Sequence, residues 1–227
     1  TGCGACVNLC PYQKIHKDNT INLHLCDLDD VRCRNYCPRS PVDLDRLRNA
    51  LFDSADFIPE LGPFKGLYLT RATDQKVRAA AQHGGTVSAF MQLALEEGLI
   101  DTAILAGSGE DYLPESRPVD HPERGAAKAG SRFVVSPTVA EFNLISTGPA
   151  AKIGVVATPC QALALAKMRV NAWPNDVDRT QKLALVIGLF CGWALDWRKL
   201  KKLLADEVGD ATVTGMDIPP SKHACMS

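Results

Sequence analysis

Apolar residues follow two different regimes along the chain. Up to residue 40 they recur with no helical or strand period, and Cys, Gly, Pro and polar residues crowd between them. Such a segment buries little surface and calls for a metal staple. Residues 41–63 read as a bridge, with Pro41 opening a short helix through Leu51 and Pro59, Gly62 and Pro63 interrupting the chain afterwards. From residue 64 apolar runs and helical faces alternate. Phe64–Thr70, Thr102–Ala106, Arg132–Val135, Lys152–Ala157, Leu183–Phe190 and Thr212–Ile218 read as strands. Val77–Ala81, Thr86–Glu97, Gln161–Arg169 and Leu200–Val208 read as helices. In the second of these, Val87, Phe90, Met91, Ala94 and Leu95 share one face, and Gly98 stands at the C-cap. The stretch Gly107–Gly130, rich in proline and charge, reads as a long excursion. Ser136-Pro137 has the form of a helix cap followed by a first-turn proline.

Nearly all-apolar strands separated by helices predict an α/β fold, a mostly parallel or mixed sheet flanked by helices. The six cysteines among residues 3–37, in C-x2-C-x3-C-P and C-x3-C-P spacings, predict a small two-cluster ferredoxin-like domain before it. The predicted organisation is residues 1–40 as an iron–sulfur domain, 41–63 as a linker and 64–227 as the α/β domain.

Composition narrows the class. A chain of 227 residues with 46% hydrophobic and 22% charged residues has enough apolar material for a sizeable core. A formal net charge of −1 leaves no electrostatic footprint for nucleic acid. The longest nearly apolar run, Leu183–Leu195, is shorter than the roughly 20 residues a membrane helix needs, so an integral membrane protein is not expected. No basic stretch followed by an apolar segment opens the chain. Nine cysteines in a chain with no export signal point to the cytoplasm, and there to metal ligation or redox chemistry in place of disulfides.

Six of the nine lie between residues 3 and 37. Cys3, Cys6, Cys10 and Pro11 match the last three cysteines and the proline of the two-cluster ferredoxin pattern, C-x2-C-x2-C-x3-C-P. Its first cysteine would stand immediately before Thr1, so the natural chain is expected to extend upstream. Cys33, Cys37 and Pro38 match the end of a second copy, Asp30 stands at its second position, and Cys26 lies one place further out than the pattern asks. Because the last thiolate of each run crosses to the other cluster, one cluster would use Cys3, Cys6 and Cys37 with the upstream cysteine. The other would use Cys26, Cys33 and Cys10. Asp30 is either an oxygen ligand of a four-iron cluster there, or its corner is open and the cluster is three-iron. Structural zinc is the rival reading of these thiols, but zinc ribbons favour pairs of C-x2-C. His16 and His24 read as packing or surface residues.

Three single cysteines follow downstream. Cys160 and Cys191 each stand just past the end of a predicted strand, where ligands gather in open parallel sheets. Cys160 also opens a helix, which favours a thiolate. With Cys225 they form the candidate ligand set of a third cluster, whose fourth ligand is expected beyond Ser227. Taken singly, each also reads as a small buried apolar residue. Gln82-His83-Gly84-Gly85-Thr86-Val87-Ser88 offers a glycine pair, hydroxyl donors and a helix N-terminus to a planar or anionic ligand. A purely structural turn has the same look. Lys65, Arg71, Lys76 and Arg78 read as a solvated basic face. No Rossmann, P-loop or nucleophile-elbow motif is present.

These residues resemble the coenzyme F-420 hydrogenase/dehydrogenase beta-subunit family. The resemblance rests on Gln82–Ala89, Glu96–Asp101, Gly154–Gln161 and Gly188–Gly192, taken in order. It implies FAD in the α/β domain, lined by Gln82, His83, Gly84, Gly85, Thr86 and Ser88 and approached by Thr158 and Gln161. It also implies a four-iron cluster served by Cys160 and Cys191. Hydride would be exchanged with a soluble carrier of the deazaflavin type, and single electrons with a redox partner subunit or domain. NAD(P)H, ferredoxin or an organic substrate in the carrier's place, or an electron wire with no substrate site, stand as alternatives.

Overall fold

The structure is a computed structural model, and it describes residues 2–28, 32–53, 56–109, 113–122, 133–171 and 178–209. Asp30, Arg132, Cys225 and the strand expected over Thr212–Ile218 lie outside the described residues.

A four-stranded mixed sheet forms the centre, in the order β6-β5-β7-β8. Strands β5 (Thr102–Ser108), β7 (Ile153–Ala157) and β8 (Leu183–Gly188) are parallel, while β6 (Pro114–Val119) runs antiparallel along β5. Strand β7 is central, and Ile153, Val155 and Ala157 are fully buried there. Helices α5 (Thr138–Ile145) and α6 (Pro159–Val170) cover one face, where Val139, Phe142 and Leu165 pack on Ile104, Ile153 and Val155. Helix α4 (Thr86–Glu96) covers the other, with Met91 and Ala94 against Ile100, Ala103 and Val119. Burial of successive residues on opposite faces is the period-two signature of a sheet covered twice. The fold is the α/β arrangement that the apolar pattern predicts.

The remaining elements are short. Strands β1 (Gln13–His16) and β2 (Asn19–Asn22) form a hairpin, followed by α1 (Arg32–Tyr36) and α2 (Leu44–Leu51), the latter capped by Asp43. Strands β3 (Phe57–Ile58) and β4 (Gly62–Pro63) pair briefly, and α3 (Gln75–Ala80) precedes α4. A last helix, α7 (Trp197–Val208), closes the described chain.

Several expectations are corrected. Phe64–Thr70 is not a strand: Leu67, Tyr68 and Leu69 are exposed and pair with no strand among the described residues. The excursion Gly107–Gly130 contains β6, which carries Pro114 and Pro118 and tolerates them because it is a sheet edge. Ser136 does not cap α5, since its hydroxyl is bonded to the Ser116 hydroxyl of β6, and the helix starts at Thr138. Of the strand expected at Arg132–Val135, the described residues 133–135 make a single bridge, Val134 to Leu195.

Candidate functional site

Residues 2–10 wind back on themselves and are clamped to α5. Gly4 (φ 82°) and Asn8 (φ 61°) take left-handed backbone, the kind of curl whose amides line concave anion sites. The Cys3 carbonyl accepts from Val139 N (3.1 Å), and the Asn8 side chain donates to the Ala140 carbonyl (3.0 Å). Asn143, fully buried, donates its side-chain amide to the carbonyls of Val7 (2.8 Å) and Ala5 (3.2 Å). A Cβ at Gly4 would lie 2.5 Å from that of Ala140, so glycine is required by space as well as by φ.

The thiols fall into groups. Cys3 is buried, and Cys6, Cys10, Cys33 and Cys37 are half-buried. Burial pushes the Cys6 thiol up to about 11; Cys3 and Cys37 add to the rise, and a hydrogen bond with Thr20 opposes it. Cys3 and Cys37 are therefore each within electrostatic reach of Cys6. The Tyr12 phenol is raised chiefly by its 2.6 Å hydrogen bond to Asp27, with Cys26 and Cys10 contributing. Both thiols thus lie within electrostatic reach of Tyr12. Cys33 lies in α1 and Cys37 directly after it, and Cys37 N donates to the Cys33 carbonyl (3.1 Å). Arg39 N points at Cys37 Sγ from 3.4 Å, the backbone donor that cluster sulfurs commonly receive. Grouped thiols, a curled backbone and an amide aimed at sulfur fit an iron–sulfur centre. Among the described residues no three His, Cys, Asp or Glu side chains converge on a single-ion site. His24 packs its ring on Tyr12 at 5.5 Å.

The sheet brings the next two cysteines to one end. Ala157 pairs with Gly188 across the parallel strands β7 and β8, and Cys160 and Cys191 each follow three residues later. Leu189 N continues the ladder to the Ala157 carbonyl (2.8 Å). Cys160 lies in the first turn of α6, with its sulfur 3.3 Å from the Thr158 hydroxyl, and Cys191 is exposed. Thr158 and Gln161 form a capping box. Gln161 accepts from Thr158 N (2.8 Å) and donates to the Ser136 carbonyl (2.7 Å), so both ends of its buried amide hold the loop that carries Cys160.

The glycine pair stands at the start of α4. Gly85 (φ 73°) is the N-cap and no side chain caps the helix, which leaves its first amides to a ligand. The neighbouring strand of chain is tied alongside, through Ala72 N to the Gly84 carbonyl (2.8 Å) and Thr70 Oγ1 to Thr86 Oγ1 (3.0 Å). Gln82 and Ser88 are half-buried and His83 is exposed. An uncapped helix start behind two glycines fits the anionic part of a flavin dinucleotide. Of the basic residues nearby, Lys65, Arg71 and Lys76 are exposed, whereas Arg78 is bonded to the Ala72 carbonyl (3.1 Å).

Comparison with known proteins decides the family. The models for the N-terminal and C-terminal parts of the coenzyme F420 hydrogenase/dehydrogenase beta subunit match residues 67–142 and 150–226. The chain belongs to this family. It is 29% identical over 152 residues to the coenzyme F420 hydrogenase subunit beta of Methanothermobacter thermautotrophicus, covering 66% of this chain and 53% of that protein. With the subunit of the same name from Methanosarcina barkeri it shares 31% identity over 169 residues, 70% of this chain and 57% of that protein. The chain thus spans about half the length of these relatives. An uncharacterised protein of Methanocaldococcus jannaschii matches at 26% identity across 98% of this chain and 67% of its own. A chain in the structure of the F420-reducing hydrogenase complex of Methanosarcina barkeri superposes with a TM-score of 0.58 at 30% identity. It covers 64% of this chain and 52% of that one.

Both the glycine turn and the Cys160 and Cys191 loops of this F420 hydrogenase/dehydrogenase beta-type chain lie inside the family matches, whereas the N-terminal cysteines precede them. Two residues that the sequence reading passes over tie these parts together. Asn143 and Lys167 are buried polar residues on largely apolar helix faces, which α5 shares with Thr138 and α6 with Gln161. Lys167 lines a cavity of about 480 Å³ between α1, α2 and α6, together with Arg34 and Arg46. No helix among the described residues is long and apolar enough to cross a membrane.

Proposed function

We propose that this chain exchanges a hydride with coenzyme F420 at a bound FAD and passes single electrons through iron–sulfur clusters to a redox partner. The observation that carries the reading is the Ala157–Gly188 register, which brings Cys160 and Cys191 to the same end of the sheet within the family match. The relatives add support: they include F420 hydrogenase beta subunits and, at 30% identity over 134 residues, a coenzyme F420-dependent sulfite reductase.

FAD, when bound, supplies the conversion between a two-electron hydride and single electrons. Gly84 and Gly85 would let it approach the backbone, the first amides of α4 would hold its phosphates, and Thr86 and Ser88 would donate hydroxyls. Cys160 and Cys191, with Cys225, would hold a four-iron cluster beside it. The start of α6 favours Cys160 as thiolate, and Gln161 keeps that loop in place. In residues 1–40, Cys3, Cys6 and Cys37 would hold one cluster. Cys10, Cys26 and Cys33, with Asp30, would hold the other, and residues 41–63 would join this unit to the α/β domain. A cytoplasmic location accords with chemistry that air destroys.

The test is anaerobic. Purified protein reconstituted with FAD is given reduced F420 and an artificial one-electron acceptor. Oxidation of F420 with two acceptor molecules reduced per turnover is expected, and Cys160→Ser and Cys191→Ser should each abolish it. Undiminished transfer in both variants, or no reaction of reduced F420 with the flavin-loaded protein, would reject the reading.

A further inference from the structure

Helix α6 begins at one proposed cluster site and ends at another. Cys160 lies in its first turn and Lys167 seven residues later, about 10 Å along the axis at 1.5 Å per residue. Lysine is almost never buried unless its charge is engaged, yet Lys167 is only 4% exposed, among Ala164, Leu165 and Met168. Its ammonium donates to the Cys37 carbonyl (2.8 Å), the Ser40 hydroxyl (2.6 Å) and the Pro41 carbonyl (3.2 Å), one for each proton it can offer. All three acceptors are neutral and all come from the single turn that starts at Cys37. A lysine serving only its own helix would bond the last carbonyls of α6. Those of Val170 and Asn171 are instead taken by Arg46 (2.9 Å) and Tyr36 (3.1 Å). The end of α6 thus grips the chain on both sides of Cys37.

We infer that Lys167 is the positioning residue of the cluster on Cys3, Cys6 and Cys37: it fixes Cys37 and lends that cluster a buried positive charge that raises its reduction potential. The inference rests on the proposed function. Its physics is elementary. Reduction adds one negative charge to the cluster, and a fixed cation in a poorly screened site stabilises the reduced form more than the oxidised one. The Cys10, Cys26 and Cys33 group has no such partner in the hydrogen bonds of Lys167 and should be indifferent to it. The consequence is a potential step between the two N-terminal clusters that is set by a residue of the α/β domain.

The experiment is a mediator-poised potentiometric titration followed by electron paramagnetic resonance, on the anaerobically purified full chain. The signal of the Lys167-linked cluster is assigned as the one lost in Cys6→Ser. In Lys167→Met its oxidised-to-reduced ratio at a fixed poise should rise at least tenfold, about 59 mV for one electron. The other cluster should keep its midpoint, and Lys167→Arg should stay close to wild type. Loss of the Cys6-linked signal alone in Lys167→Met, with Lys167→Arg retaining it, would equally support the positioning role. An unchanged midpoint in Lys167→Met would overturn the inference, and so would loss of both clusters and of the fold in both variants, which marks a merely structural lysine. Wild-type protein without iron would be a different failure, that of the functional reading itself.

Discussion

The α/β half and the cysteine-rich half are held together by different forces. In the first, regular strands bury Ile153, Val155 and Ala157 completely, and helices cover both faces. In the second, a hairpin of two four-residue strands and a five-residue helix carry the chain, and Leu23, Leu25 and Leu28 remain exposed. Its buried residues Cys3, Ala5 and Tyr36 belong to the same core as Val139, Phe142 and Leu165. The cysteine half therefore borrows its core from the other, through a few hydrogen bonds that Asn143 and Lys167 supply. A segment held in this way can be rebuilt around a metal centre without disturbing the sheet.

This contrast can be broken or sharpened experimentally. The largest effect is expected from Leu165→Ala, which opens a cavity in the core both halves share and should cost about 2–5 kcal/mol in chemical denaturation. A value under 1 kcal/mol would mean that the two halves do not share a core. Next comes metal removal. Stripping iron with a chelator should accelerate amide exchange in residues 2–28 on the order of 100-fold, equivalent to about 2.7 kcal/mol of local stability. Protection in β5, β7 and β8 should hold. Uniform loosening of the whole chain would contradict the division. Asn143→Ala leaves buried carbonyls of Ala5 and Val7 without this donor, at about 1–3 kcal/mol for each unsatisfied group. Its effect should appear in exchange of residues 2–9 before it appears in the sheet.

The smallest effect concerns Asp101, which ties the start of β5 to the residues just before β7. Partial burial works to raise its pKa. The amides of Ala151 and Lys152, bonded at 2.8 and 2.9 Å, outweigh that and bring it below the usual 3.8. A carboxyl lowered by folding contributes stability above its unfolded value and loses it as pH falls through the folded one. Asp101→Asn should therefore be less stable than wild type at neutral pH, and the gap should narrow below pH 3.8 and close once pH has fallen past the lower folded value. A gap that persists there would assign the effect to something other than the charge.

Much of the sheet was legible because burial on two faces leaves continuous apolar runs such as Ile153–Ala157. Helix α6 begins two residues before the expected Gln161 because Thr158 and Pro159 form the cap and first turn, a signal present in the sequence that periodicity alone does not use. Strand β6 stayed hidden because its prolines forbid a central strand and only its edge position permits them. The run Leu67–Leu69 misled in the opposite sense: apolar residues propose a strand, but only a neighbour makes one. For the site, spacing alone singled out the cysteines and the glycine pair. It could not reveal Lys167 or Asn143, whose side-chain bonds reach across 126 residues or more.

On the proposed function, electrons enter at the α/β domain and leave through the cysteine-rich segment. Freeze-quench electron paramagnetic resonance of the anaerobic, FAD-loaded protein after mixing with reduced F420 tests it most directly. The account predicts cluster signals that grow in step with F420 oxidation, two cluster electrons for each F420 oxidised, and none in flavin-free protein. Reduced F420 consumed while the clusters stay silent, although dithionite reduces them, would contradict it.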